Sequence, residues 1–427
     1  MQVFVRCRAL QPRVLCSSAM CVLFVAMSIE CRASALSFDD AIRLGMREAP
    51  TIVAARLNVA AAETSAVSAG ELPDPQLAVG LDNLPVEGAD RFSLGGDFMT
   101  MRRVALSQAV TSSARRAAAR AGARGQIANA LAEAQRINRT ALLQIADAWI
   151  LRLGAERQLA LVGALAEENQ LLAAALRARY AAAQGAASDL LSAREEALRI
   201  ADRTDALTAQ RAQAIAQLRR WLGSDADRPL TGELPDWTLD AATLRSRVHR
   251  HAELLVLDAR AGVLDAAIDS ARAAQHPDWE VELAYQQRGR RFSDMVSLQV
   301  SIDLPVFGVR RQQPQIGARI DERSALDAER EAALREHAAV LEADLAELAR
   351  LDRACKRQRE LALPLARERS DLARIAWQNN AGTLAALIAA RQAGVNAELE
   401  TMALQTQRAR LTANLHFTYA DIEERQR

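Results

Sequence analysis

Two hydrophobic patterns alternate along the chain. Between residues 112 and 222, and again between 310 and 424, apolar positions recur at spacings of three and four residues, which predicts long amphipathic helices. Four shorter runs alternate apolar and polar residues, which predicts strands near 76–85, 101–110, 280–288 and 295–305. The expected fold class is therefore mainly α, with a small β part.

The second pair of predicted strands separates apolar from polar side chains. Val296, Leu298 and Val300 share one face, and Ser297 and Gln299 share the other. A strand of about ten residues crosses a bilayer when it is tilted in a barrel, so one face would meet lipid and the other a water-filled lumen. A small soluble hairpin in each half of the chain is the alternative. The residues expected to face the lumen are Glu280, Glu282, Gln286, Gln299 and Asp303.

The same order of elements occurs twice, about 200 residues apart, which indicates a tandem repeat of helix, helix, strand, strand, long helix and long helix. The first repeat covers residues 36–223, a linker follows at 224–237, and the second repeat covers 238–427. Ser37 and Thr238 open the two repeats. A hydroxyl side chain suits the start of a helix because it accepts a hydrogen bond from an otherwise free backbone N–H.

The closest match between the repeats surrounds two glycines. Gly185 and Gly382 each follow an aromatic residue, Tyr180 and Trp377, by five positions, and each precedes two large aliphatic residues and an Ala-Arg pair. A glycine inside a helix costs about 1 kcal/mol relative to alanine. Its recurrence at matched positions therefore indicates a break in the helix or a close approach of two backbones.

Two turns are expected within the long helical regions. The first is predicted near residues 153–155, which would give helices of about 40 and 65 residues, or roughly 60 and 100 Å. The second is predicted near residues 351–354. Pro364 would then lie in the returning helix and kink it, because proline lacks the backbone N–H that the helix needs.

The N-terminus has the features of a secretory signal. Arg6, Arg8 and Arg13 precede an apolar stretch that ends at Ile29, and residues 33–35 form a small-x-small cleavage motif. Residues 1–35 are therefore expected to be a signal peptide, with a short membrane anchor as the alternative. This segment contains four of the five cysteines, so its removal leaves one cysteine and excludes an intramolecular disulfide.

Composition argues against several classes of function. Half of the residues are apolar but only 4% are aromatic, which is typical of long packed helices. The 54 basic and 53 acidic residues are balanced, so no nucleic-acid partner is expected. After the N-terminus no apolar run reaches the length of a transmembrane helix. The sequence has no Gly-rich phosphate loop and no clustered catalytic residues, so neither an enzyme nor a cofactor is expected.

Two short motifs contain residues that bind metals in other proteins. His249 and His251 lie on a predicted helix, where side chains at i and i+2 diverge, so we predict no metal site there. Met99 and Met101 carry thioethers, which bind soft copper or silver ions. We interpret these methionines instead as strand or loop residues near the outer rim of the barrel.

The repeat resembles the TolC-type outer-membrane efflux factors of Gram-negative bacteria over essentially the whole mature chain. The stretch at residues 98–104 is similar to the branch of this family associated with heavy-metal efflux. The family often has proline and Gly-Lys after its Ser-Gln pair, which this chain lacks at 109–116; residues 303–308 keep more of that pattern. The family-like segments are residues 41–50, Leu106-Ser107-Gln108, residues 180–194, Leu218 and Leu222-Gly223.

The resemblance implies a homotrimer in the lipid of the cell outer membrane that extends into the periplasm. Each protomer would give four strands to a shared β-barrel, and long α-hairpins would continue it as a periplasmic tunnel. The protein would be the passive exit duct of a tripartite efflux pump, with a periplasmic adaptor (membrane fusion protein) and an inner-membrane transporter as partners. The preferred substrate is heavy-metal cations. Drug or small-molecule efflux or type I secretion is one alternative, and a soluble periplasmic coiled-coil adaptor is a more distant one.

Members of this family close the periplasmic end with converging helix hairpins that acidic side chains often line. A three-fold ring of carboxylates would favour cations over anions. Ion pairing with Arg152, Arg350 or Arg353 is the alternative role for these acids. The segments 151–156 and 350–355, at the predicted turns, are expected to contact the adaptor. The gate candidates near those turns are Asp147, Glu156, Asp344, Glu347 and Asp352.

Overall fold

The computed structural model describes residues 35–379 and 381–419. The predicted signal peptide, apart from Ala35, and the predicted helix end near residue 424 lie outside the described residues. The first half comprises α1 (Phe38–Glu48), α2 (Pro50–Ala66), β1 (Gln76–Asp82), β2 (Met101–Val110), α3 (Ser113–Ala181) and α4 (Ala187–Leu222). The second half comprises α5 (Ala241–Ser246), α6 (Ala252–Ala273), β3 (Trp279–Gln287), β4 (Met295–Ile302), α7 (Gln312–Arg357), α8 (Leu363–Gln378) and α9 (Leu384–Tyr419).

The two halves follow the predicted order of elements. α3 has 69 residues, and α7 and α8 together take its place in the second half, while α4 and α9 each have 36 residues. Ser37 caps α1 as predicted, because its Oγ accepts a hydrogen bond from the backbone N–H of Asp40 at 3.1 Å. In the second half the cap is Asp240 and not Thr238. Its carboxylate accepts from the N–H of Thr243 at 2.9 Å, and aspartate is an equally good cap.

Gly154 does not end the first long helix. α3 continues through it to Ala181, so the turn predicted near residues 153–155 is wrong. A Cβ at Gly154 would lie 2.6 Å from the Oγ1 of Thr406 on α9 and 2.9 Å from its Cγ2. The glycine is therefore needed because the two helices approach closely, and not because the chain turns.

The turn predicted near residues 351–354 is also wrong. α7 passes through these residues, a π-helical turn covers Gln358–Ala362, and α8 continues to Gln378. Leu351 and Ala354 are buried against Leu404 of α9, so the apolar positions here continue a helix–helix contact. Pro364 is the second residue after the π-helical turn, as expected for a residue that disrupts the regular helix. It lies in the outgoing helix, however, and not in the returning one.

The largest buried cluster surrounds Trp149 in the middle of α3. The indole Nε1 of Trp149 donates a hydrogen bond to the carbonyl of Leu36 at 3.3 Å, and the N–H of Leu36 donates to the carbonyl of Pro229 at 2.7 Å. The start of the first repeat and the linker between the repeats therefore meet at this part of α3. Fully buried partners in the cluster include Ile52, Ile145, Leu218 and Ala226.

Among the described helices, α3 is the one whose length and composition would allow it to cross a membrane. Helices that pack in bundles meet the same criterion. α3 contacts α2, α4, α6 and α9, although only 17% of its most apolar 18-residue stretch is buried within the protomer.

Candidate channel surfaces

The four strands form one antiparallel sheet in the order β1-β2-β3-β4, and its register places the large apolar side chains on one face. Leu106 lies opposite Leu283, and Leu283 lies opposite Leu298. Leu298, for example, is 70% exposed. A large patch of exposed apolar side chains marks a surface that contacts another protein or a membrane. The exposed members of this face are Leu77, Val79, Leu81, Val104, Leu106, Trp279, Leu283, Tyr285, Val296, Leu298, Val300 and Ile302.

The opposite face of the sheet is polar. Glu280, Glu282 and Gln286 on β3 and Gln299 on β4 lie on this face, as the alternation predicts. Asp303 lies one residue beyond β4, where its N–H donates to the carbonyl of Asp278 at 2.9 Å. The strand therefore ends at Ile302, earlier than predicted, with one further hydrogen bond at Asp303.

Polar side chains on this face contact one another across the strands. Arg103 of β2 and Glu282 of β3 form an ion pair, and the Ser297 hydroxyl donates to the Gln286 side chain at 3.2 Å. Ala105 and Ala284 lie opposite each other between the charged positions and are buried. This face therefore carries an ion pair and a polar hydrogen bond, which suits it to contact with water.

The sheet has two outer strands with free edges. Within the described residues β1 pairs only with β2, and β4 pairs only with β3. Their outward N–H and C=O groups therefore have no ladder partner in the protomer. In a bilayer each such group costs several kcal/mol, so the sheet is incomplete as a membrane-spanning unit.

Both long helical hairpins turn at the paired glycines. Between α3 and α4, Ala183 has φ of 58° and the N–H of Gln184 donates to the Arg179 carbonyl at 2.9 Å. Between α8 and α9, the N–H of Gly382 donates to the Ala376 carbonyl at 3.0 Å. A Cβ at Gly382 would lie 3.1 Å from the Ala376 Cβ, so the glycine fits closely against the end of the preceding helix. The predicted break and the predicted close approach occur together.

The two turns lie side by side. The guanidinium carbon of Arg179 is 5.6 Å from the centre of the Trp377 ring, which joins the end of α3 to the end of α8. Trp377 also packs against a buried cluster that contains Leu176 and Leu387, whereas Tyr180 is exposed. The matched aromatic residues therefore differ: Trp377 fixes the two hairpins together, and Tyr180 presents its ring at the surface.

The five acidic gate candidates do not lie at the helix turns, so their predicted position at the tip of the hairpins is wrong. Asp147 and Glu156 lie in the middle of α3, and Asp344, Glu347 and Asp352 lie in the last third of α7. Both turns occur later in the chain than predicted, because apolar positions near 153 and 351 are helix contacts. The same correction applies to the expected adaptor contacts at 151–156 and 350–355.

Four of these acids are paired with arginine. The carboxylate of Glu156 accepts from Arg152 at 2.8 Å and from Arg211 at 3.2 Å. Glu347 accepts from Arg350 at 2.7 Å, and that hydrogen bond holds the pKa of Glu347 below its usual value. The other two pairs are Asp147 with Arg410 and Asp352 with Arg408, both at 2.6 Å.

Asp344 differs from the other four. Its carboxylate accepts one long hydrogen bond, at 3.4 Å, from the Asn414 side chain. Burial of the carboxylate raises its pKa above the usual value. The charged form of Asp344 is therefore poorly stabilised in the folded protein.

The segments that form the two turns contain few charged residues, a feature that the prediction of the turns did not use. From Tyr180 to Leu191 the single charged residue is Asp189, and from Trp377 to Leu387 there is none. The helices on either side are rich in Arg and Glu. A segment that is low in charge and centred on a repeated glycine is the signal that would have located both turns.

Comparison with known proteins identifies the fold. No protein-family model matches the chain, and no match was found among curated proteins. Solved structures do match: CusC, whose crystal structures concern transmembrane channel formation, has a TM-score of 0.72 at 15% identity, over 90% of this chain and 91% of that one. The outer membrane protein VceC from Vibrio cholerae has a TM-score of 0.68 at 17% identity, over 90% and 95%. The Neisseria gonorrhoeae MtrE outer membrane channel, in its open state, has a TM-score of 0.67 at 17% identity, over 90% and 88%. The chain therefore has the fold of the TolC-type outer-membrane efflux channels.

Proposed function

We propose that the protein is an outer-membrane channel that acts as the passive exit duct of a tripartite efflux pump. The observation that carries this proposal is the four-stranded sheet, with one exposed apolar face and two free edges, from which the long helices α3 and α7 continue. The similarity of fold to CusC, VceC and MtrE supports it.

The free edges support a homotrimer. Four strands do not close a barrel, and membrane barrels have no free edges because lipid offers no hydrogen-bond partners. If β1 of one protomer pairs with β4 of the next, three copies give one closed barrel. The face with Leu298 would then contact lipid, and the face with Glu282 and Gln299 would line the lumen.

The proposed partners follow from the position of the hairpin ends. The strands lie at one end of α3 and the turn between α3 and α4 at the other, so residues 182–186 would point into the periplasm. We place the contact with a periplasmic adaptor there and at the turn between α8 and α9. Energy for transport would come from an inner-membrane transporter.

The preferred substrate is heavy-metal cations, and drugs or other small molecules are the second candidate. The similarity of residues 98–104 to the heavy-metal branch supports the first. Loss of the gene in its native strain is expected to increase sensitivity to copper, silver, zinc or cobalt salts, and re-expression should restore growth. Sensitivity to drugs alone would support the second candidate and overturn the first.

The channel itself is tested with purified protein in a planar bilayer. We expect stable single-channel conductance steps, and extraction of the protein from envelopes only with detergent. Release by salt or alkali without detergent, together with no conductance, would instead support a soluble periplasmic coiled-coil protein. Heat-denatured protein at the same concentration is the control for adventitious leaks.

A further inference from the structure

Three residues outside the channel surfaces bring metal-binding groups together. His251 immediately precedes α6, Glu253 lies in the first turn of α6, and His337 lies on α7. One ligand atom from each residue lies within 4.8 Å of the other two. Imidazole nitrogen and carboxylate oxygen are common ligands of zinc and of copper.

The local backbone explains why His251 and Glu253 point the same way. His251 is the N-cap of α6, with φ of −57° and ψ of 137°, so it is not helical. Its Nδ1 accepts a hydrogen bond from the backbone N–H of Glu253 at 3.3 Å, which leaves Nε2 for a ligand. The rule that i and i+2 side chains diverge on a helix therefore does not apply here.

His337 reaches the same point from α7. Its Nε2 lies 3.0 Å from the Glu253 carboxylate, and its ring is stacked on His251 with 3.6 Å between ring centres. His251 and His337 are half-buried and Glu253 is exposed. An ion can therefore reach the cluster from solvent on the side of the Glu253 carboxylate.

We propose that His251, Glu253 and His337 bind one divalent transition-metal ion of the zinc or copper class. In a tetrahedral zinc site the ligand atoms are about 3.4 Å apart, so the three groups need to close by little more than 1 Å. The stacked imidazoles do not point at a common centre, and one ring must therefore turn out of the stack when the ion binds. Water would complete the coordination. This proposal is independent of the transported substrate.

The charged surroundings define which ions fit. Arg139 acts electrostatically on His251, and Arg136 acts on Glu253. The Arg139 guanidinium donates a hydrogen bond to the carbonyl of Thr418 at 2.9 Å. The positive charges of these two arginines oppose the binding of any ion that is held only by electrostatic attraction. Magnesium and calcium, which require several oxygen ligands, are therefore not expected to bind.

The test uses metal-free, detergent-solubilised full-length protein titrated with Zn²⁺ by calorimetry, and with Cu²⁺ by electron paramagnetic resonance. We expect one ion per chain and nitrogen hyperfine structure for Cu²⁺. His337→Gln, Glu253→Gln and His251→Asn should each weaken binding by about tenfold or more. Asn is chosen at 251 because it also caps helices. His249→Gln is the matched control, since His249 is exposed and outside the cluster, and it should bind as the wild type does.

Three results would overturn the proposal. One is no saturable Zn²⁺ binding up to about 1 mM. Another is unchanged binding in Glu253→Gln and His251→Asn, with both variants eluting at the wild-type oligomer size. These two variants preserve the cap and the local shape, so they decide the question even if His337→Gln fails to fold. An equal loss of Zn²⁺ affinity in His249→Gln would mean that the ion binds elsewhere, which would also contradict the assignment.

Discussion

Arg152 joins the middle of α3 to the linker between the repeats. It is 2% exposed, and its guanidinium donates to Glu156, to the carbonyl of Arg228 at 2.8 Å and to the carbonyl of Ala226. A buried guanidinium is tolerated because its donors are matched by acceptors. Removing it would leave the carbonyls of Ala226 and Arg228 without this donor beside the largest buried cluster, while Glu156 would keep only Arg211.

Arg152→Met should therefore lower the free energy of unfolding by about 3 kcal/mol. Chemical denaturation of the solubilised protein measures this loss. Arg157→Met is the matched control, because Arg157 is five residues further along α3 and makes one exposed hydrogen bond to the same linker, at Gly232. The control should change stability by about 0.5 kcal/mol or less. Equal losses in the two variants would show that the linker contact, and not burial of the charge, matters.

Asp344 gives a prediction about pH. Burial raises its folded-state pKa above the unfolded value of 3.8, so ionisation at neutral pH opposes folding. Its stabilising contribution is present below pH 3.8 and is lost as the pH rises through the folded-state pKa. Asp344→Asn should therefore increase the thermal unfolding temperature at pH 7, and the gain should shrink as the pH falls towards 4.

Glu347→Gln is the control for Asp344→Asn. Arg350 lowers the pKa of Glu347, so the sign of its contribution is opposite and no gain is expected at neutral pH. Thermal scans of both variants between pH 4 and pH 7 separate the two cases. A gain in Asp344→Asn that does not depend on pH would mean that it arises from altered packing beside Asn414 and not from charge.

At the scale of the helix, substitutions at Gly154 and Gly163 distinguish the effect of packing from that of helix propensity. Both lie in α3; a Cβ at Gly154 would clash with Thr406, whereas a Cβ at Gly163 would meet nothing within 4 Å. Alanine is favoured over glycine in a helix by about 1 kcal/mol. Gly163→Ala should therefore stabilise the protein by up to that amount, while Gly154→Ala should destabilise it by about 1–3 kcal/mol. Denaturation curves of the two variants provide the measurement, and stabilisation by both would contradict the close approach of α3 and α9.

The periodicity of apolar residues was sufficient to predict the elements but not where the helices turn. The four strands and their faces follow from strict alternation, because each face meets one environment along its whole length. The second turn was misplaced because Leu351 and Ala354 continue a helix contact with α9. The first was misplaced because Gly154, in the sequence alone, resembles a helix break. Only its contact with Thr406, more than 200 residues away in the chain, shows that it serves packing. The pairing of His251 with His337 was hidden for the same reason, since it joins two helices that the sequence does not relate.

The match between repeats carried information that local pattern did not. Gly185 and Gly382 occupy equivalent turns, and the residues around them, not those around 153 and 351, form the ends of the hairpins. The acidic gate candidates depended on the misplaced turns; in the structure all five lie in the helix bodies, and four of them are paired with arginine. A functional role that is assigned because a residue lies at the end of a helix therefore depends on a correct prediction of where that helix ends.

For the whole molecule, duplication explains why the protomer is incomplete. Each repeat contributes one hairpin, and pairing β2 with β3 joins the two hairpins into one sheet but leaves β1 and β4 free. The long helices also have apolar surface that the protomer leaves uncovered. Exposed leucines occur along α4 and α8, at Leu191, Leu198, Leu365 and Leu372. Neighbouring copies would cover both kinds of surface at once, so the proposed homotrimer would couple assembly to folding.

The two faces of β4 offer the sharpest test of this arrangement. Leu298 and Gln299 are adjacent, and their side chains lie on opposite faces of the sheet, one apolar and one polar. In a lipid-facing position near the middle of the bilayer a lysine costs about 2–4 kcal/mol, whereas in the lumen it remains hydrated. Leu298→Lys should therefore reduce the yield of heat-modifiable oligomer in outer-membrane fractions, while Gln299→Lys should assemble normally and shift single-channel selectivity towards anions. If Gln299→Lys blocked assembly and Leu298→Lys did not, the faces would be reversed. If neither had an effect, the sheet would not lie in a membrane.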